Sequence, residues 1–141
     1  MEDKIIIRVG AKTLIPFIMV FALYVQFHGD YGPGGGFQAG VIFAAGFILY
    51  GLIFGVDMAK KVLPLSVAWL FGSAGVLIFA GVGVVTLLLG GDFLDYSVLA
   101  HDPEHGQHWG ILLVELGVLT TVFGVMISIF YSFAGRRGLG T

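Results

Sequence analysis

Four apolar runs, at about residues 13–28, 35–56, 64–89 and 109–134, constrain this chain more than any other feature. A hydrocarbon core about 30 Å thick takes roughly 20 residues of helix. Inside it a segment must satisfy its own N–H and C=O groups, so each run is expected to be an α-helix. Only 11% of the 141 residues are charged, against the roughly 25% of a soluble domain. The expected fold is therefore an all-α membrane protein with four transmembrane helices in one domain, residues 1–141. The spans leave short connections and no room for a soluble domain. The first run lacks an A-x-A cleavage site and is expected to be retained. Cysteine is absent, which excludes disulfides and thiolate metal sites.

The charges sort onto one side. Met1–Lys12 reads as an interfacial start, and Asp57–Leu63 as a short basic loop. With four spans these two segments and the C-terminus share a side. All 7 Lys and Arg lie there: Lys4, Arg8, Lys12, Lys60, Lys61, Arg136 and Arg137. The positive-inside rule places both termini in the cytoplasm. The opposite side carries Asp30, Asp92, Asp95, Asp102 and Glu104, and such a surface raises the local concentration of cations. So one-sided a basic charge excludes nucleic acid as a partner.

Between the first two runs lies His28-Gly29-Asp30-Tyr31-Gly32-Pro33-Gly34-Gly35-Gly36-Phe37-Gln38. Lipid cannot satisfy exposed backbone, so this polar break must sit at the interface, inside protein or along a polar cavity. Gly36 and Gly40, continued by Ala44, have the four-residue spacing that lets another helix come close. No G-K-[ST] follows the glycines, so they do not form a nucleotide loop. No Ser/His/Asp or two-carboxylate constellation occurs, and neither enzyme activity nor a cofactor is expected.

Glu115 is the one acidic residue well inside a span. It lies six positions past Trp109, roughly 9 Å below the outer interface. Intramembrane carboxylates usually face protein or water and mark ion or proton paths. Gly110, Gly117 and Gly124 recur every seven residues on a different face of the same helix. Both faces thus have a reason to touch protein, and a neighbouring subunit is expected on at least one. His28 and Asp30 suit a cation or proton entrance, or else a solvated turn. His101, His105 and His108 have zinc-like spacing only on a helix. Pro103 and Gly106 argue against a helix there, and an acidic, hydrated loop is expected instead of a metal site. Trp109 and Tyr96 read as interface anchors, with packing as the competing role.

Pro33-Gly34-Gly35-Gly36-Phe37, preceded by a histidine and continued by Gln38-Ala39-Gly40-Val41-Ile42, resembles the B subunit of Mrp-type multisubunit cation/proton antiporters, the MnhB family. The resemblance extends over nearly the whole chain. It implies a small accessory subunit in a bacterial cell membrane complex whose large members resemble the proton-pumping subunits of respiratory complex I. The complex exchanges cytoplasmic Na+ for external H+. The resemblance also implies that the region around Pro33 and Phe37 contributes to the sodium path or its coupling. The family often has its histidine three residues before the proline; here Asp30 holds that place and the histidine is His28. Together the resemblance and the intramembrane carboxylate give a candidate site set of His28, Asp30, Pro33, Gly34, Gly35, Gly36, Phe37 and Glu115. A related module serves membrane-bound hydrogenase-type complexes. A purely structural subunit and an autonomous exporter using Glu115 are the other readings.

Overall fold

The computed structural model describes residues 2–29 and 31–135. Asp30, Arg136 and Arg137 lie outside the described residues. The elements are α1 (Glu2–His28), α2 (Gly36–Phe54), α3 (Val56–Val62), α4 (Leu65–Leu88), a 3-10 turn (Tyr96–Leu99) and α5 (Pro103–Gly135). Of these, α1, α2, α4 and α5 are long and apolar enough to cross a membrane. The protein is an all-α membrane protein, and no strand occurs among the described residues.

Three boundaries differ from the sequence expectation, each for a local reason. The interfacial start is not a separate segment, since α1 already begins at Glu2. Nothing before Pro16 breaks the helix, and Lys4, Arg8 and Lys12 recur every fourth residue. The basic loop after the second span contains α3 instead of irregular chain. Gly55, at φ 101°, turns the corner between α2 and α3 in a conformation that other residues adopt poorly. Asp57 in the first turn of α3 and Lys60 and Lys61 in its last turn complement the helix dipole.

The fourth span begins at Pro103, six residues before Trp109. Pro103 and Gly106 were expected to oppose a helix, and both instead fit its start. Glu104 donates its backbone N–H to the Asp102 side chain (3.2 Å), and Gly106 donates to the Asp102 carbonyl (3.0 Å). A proline in the first turn forfeits only a bond the helix does not make there. Gly106 is small because the Tyr96 carbonyl lies 2.5 Å from where its Cβ would be. Tyr96 also lays its ring on Gly110, so this residue is a packing group and not a free interface anchor.

Lipid gives helices no hydrophobic reason to associate, and close van der Waals contact takes over that role. The two glycine patterns on α5 provide it. On one face a Cβ at Gly117 would lie 2.8 Å from the Gly75 carbonyl, and one at Gly124 would lie 2.5 Å from the Gly72 nitrogen. These contacts bring α4 and α5 together backbone to backbone. On the other face α2 meets α5 through Gly36 and Gly40, the latter 2.8 Å by the same measure from the Leu119 carbonyl. Both faces expected to seek a neighbouring subunit are therefore covered within the chain, because α4 and α2 each present small residues at the matching positions.

Below these contacts Phe123 meets Phe43, Phe47 and Phe71 edge-on. At the basic end Tyr131 donates its hydroxyl to the Leu63 carbonyl (2.7 Å), and Lys60 lies over its ring. At the acidic end the buried Thr86 hydroxyl donates to Gly83 and accepts from the Leu94 N–H.

A clean contrast follows from the glycines. Gly124→Ala is expected to lower stability by about 1–3 kcal/mol, the usual cost of overpacking. Gly81→Ala, where a Cβ meets nothing within 4 Å, should leave it unchanged or raise it by up to about 1 kcal/mol. Denaturation midpoints in mixed detergent micelles measure both, and equal effects would contradict the packing described.

Candidate functional site

The glycine break and Glu115 come together. α2 begins at Gly36, whose missing Cβ leaves the place taken by the Glu115 carbonyl oxygen; the Glu115 Cα lies 3.0 Å from that Cβ position. With the backbones this close, the Glu115 side chain passes into the break. Both its carboxylate oxygens lie 3.1 Å from where a Gly29 Cβ would stand, and Oε1 lies 3.5 Å from that of Gly35. Gly35 has φ 139°, a conformation that favours glycine. Gly34 folds the break back onto the end of α1, with the Val25 carbonyl 2.8 Å from its Cβ position.

The carboxylate is thus lined by backbone from the end of α1, the break and the start of α2. Gly35 caps α2 without any side-chain hydrogen bond, so the positive end of that helix lies beside the carboxylate. A helix N-terminus favours an anion near it. Glycine at these places keeps the carboxylate close to peptide groups that a side chain would hold away.

The remaining predicted residues part into two other groups. His28 lies outside the carboxylate pocket, in an aromatic stack along α1. Its ring is 5.1 Å from Tyr24 with an interplanar angle of 15°, and 6.4 Å from Tyr31. Pro33 and Phe37 lie on the outer surface of the α1–α2 pair. With Phe21, Val25, Val41 and Ile42 they line an open groove of about 390 Å³, and Phe37 is 64% exposed. Asp30 falls outside the described residues.

Two residues were missed from the sequence. Gly29, the residue that follows α1, lies against the carboxylate, and its signal was its place in the break itself. Gln26 is 1% exposed, and neither its amide nitrogen nor its amide oxygen has a hydrogen-bond partner. It stands three residues before Gly29 and so shares its face of α1, about 4.5 Å further from the break. Leaving such a group buried without a partner costs about 1–3 kcal/mol.

The histidine loop resolves differently. His105 lies on α5 and pairs with Asp102 through Nδ1 and Oδ2 at 3.0 Å. No three His, Asp or Glu side chains converge on a possible metal position among the described residues.

Comparison with known proteins was made on this basis. Residues 6–128 match the family described as a domain related to the MnhB subunit of Na+/H+ antiporter. The candidate antiporter subunit mnhB2 of Staphylococcus haemolyticus is 35% identical over 139 residues, covering 96% of this chain and 98% of that protein. The protein of the same name in Staphylococcus aureus strain Newman is 34% identical over the same coverage.

The hydrogen bond from His105, followed by that from the Glu104 N–H, holds the Asp102 carboxyl below its usual range. A lowered carboxylate value stabilises the start of α5 above the ordinary carboxylate pKa, and that support fades as pH falls through the lowered one. His105→Ala is expected to move the Asp102 titration, followed by carboxyl NMR, back up toward the ordinary range. An unmoved titration would contradict the pairing.

Proposed function

The chain belongs to the MnhB family of Na+/H+ antiporter subunits, and on that basis we propose that Glu115 and the glycine break form its part of the ion pathway. The chain is a multi-pass subunit of a multisubunit Na+/H+ antiporter in the cell membrane. In this reading the complex extrudes Na+ in exchange for H+ driven by the proton motive force. Partner subunits include large members resembling the complex I pumping subunits.

The observation that carries the reading is the Glu115 carboxylate lying against Gly29 and Gly35. An ionisable group at that depth is costly unless it serves transport or is fully built into the protein. Here it is reached from the break, the one stretch of irregular backbone between α1 and α2. A carboxyl group can hold either a proton or a sodium ion, and exchanging one for the other is what an antiporter needs. Gln26, one helical turn from Gly29, extends the polar lining inward; its unpaired donor and acceptor suit a group that gains partners when the path fills. His28 and Asp30 belong to the outer approach, with both termini on the cytoplasmic side.

Phe37 and Pro33 favour a second role for the same segment. Neither Glu115 nor Gly29 nor Gly35 lines their groove, and Phe37 is largely exposed. We assign this surface to assembly with a partner subunit. A purely structural subunit that used its glycine faces to hold partners is less well supported, since α4 and α2 already cover those faces.

The two roles separate experimentally. Glu115→Gln in the whole complex is expected to abolish most Na+-dependent antiport in everted membrane vesicles, with the complex intact on a native gel. Gln26→Leu should lower antiport with assembly also retained. Phe37→Ala should reduce the amount of assembled complex. Full antiport in Glu115→Gln would overturn the ion-path reading.

A further inference from the structure

At the basic end of the bundle, α1 carries cations every fourth residue: Lys4, Arg8 and Lys12. Lys12 marks the level at which α2 ends, since its Nζ lies 5.8 Å over the ring of Phe54, the last residue of α2. Arg8 and Lys4 follow about 6 and 12 Å further toward the N-terminus of α1. The 27 residues of α1 measure about 40 Å, more than a hydrocarbon core of about 30 Å. This part of α1 is therefore long enough to reach headgroup level. Lys4, Ile7, Arg8, Leu52 and Ile53 line a groove of about 290 Å³ there.

We infer that this groove binds one anionic glycerophospholipid, with its phosphate between Lys4 and Arg8 and its acyl chains along Ile7, Leu52 and Ile53. The chemistry selects this ligand in two steps. Two cations, Lys4 and Arg8, line the groove. A guanidinium and an ammonium together favour a phosphate, the first by paired N–H donors and the second as a point charge. A zwitterionic headgroup would bring its own ammonium against both. The other three lining residues are apolar, and a free phosphate would leave them facing water. A diacyl lipid covers them. Basic pockets between helices at the membrane surface recognise anionic headgroups in this way.

Native mass spectrometry of the full chain and of the assembled antiporter complex, released from detergent with added lipid, tests the inference. Both should retain phosphatidylglycerol in preference to phosphatidylcholine. The double variant Lys4→Gln/Arg8→Gln should bind phosphatidylglycerol about twenty-five-fold more weakly, at roughly fivefold for each basic group. Leu52→Trp, which fills the groove and keeps both cations, should also lose the lipid. Lys60→Gln/Lys61→Gln on α3 removes the same charge elsewhere and should retain it. Four outcomes would overturn the inference: equal retention of the two lipids, an equal loss in the α3 variant, displacement of the lipid by millimolar inorganic phosphate, or lipid bound by the isolated chain and absent from the complex. The last would mean that an acidic segment of a partner subunit takes the groove.

Discussion

The backbone of α2 touches the backbone of α5 at Gly36 and Glu115, and the rest of the arrangement depends on that contact. Any Cβ at Gly36 would fall on the Glu115 peptide group. Only with both chains this close does the Glu115 side chain pass into the break between α1 and α2. The same contact continues one turn down at Gly40 against Leu119, and then at the buried Ala44. On the far side of α5, Gly117 and Gly124 hold α4 by the same means. A carboxylate in a membrane span would otherwise face lipid or need a partner helix from outside.

The faces of the molecule divide by chemistry. Inward, between α1, α2 and α5, lie the polar groups: Glu115, the glycine backbone and Gln26. Outward, Phe37, Pro33 and the aromatic stack of Tyr24, His28 and Tyr31 present apolar and ring surfaces at the same level. At the opposite end of the bundle lie the cations Lys4, Arg8, Lys60 and Lys61. In the apolar windows of the four spans at most 33% of residues are buried within the chain. Most of the spanning surface is thus left for lipid and partner subunits, as suits one subunit of a larger complex.

Much of this was legible in the sequence. The four spans followed from apolar run length, and Glu115 stood out as the single acid inside one. The glycine break was marked by composition and by the Pro-Gly-Gly-Gly-Phe motif. What escaped were matters of contact. The start of α5 was misplaced because Pro103 and Gly106 were read as breakers, whereas Asp102 makes them the first turn of a capped helix. His28 and Glu115 were grouped as one site, yet His28 stacks with Tyr24 and Tyr31, and Gly29, the residue after α1, lies against the carboxylate. Gln26 was overlooked because a single amide in an apolar run signals nothing until its burial is known. The spacing of small residues predicted close packing on both faces of α5 but not that α2 and α4 of the same chain would fill them.

The central claim is that Glu115, held in the glycine break, is the group that responds to the transported ions. Infrared difference spectroscopy of the assembled complex, with and without Na+ at fixed pH, measures this directly. The account predicts a carboxyl or carboxylate band that changes on adding Na+, disappears in Glu115→Gln and shifts in Gly29→Ala. A Glu115 band that is indifferent to Na+ and titrates like a carboxylate in bulk water would contradict it.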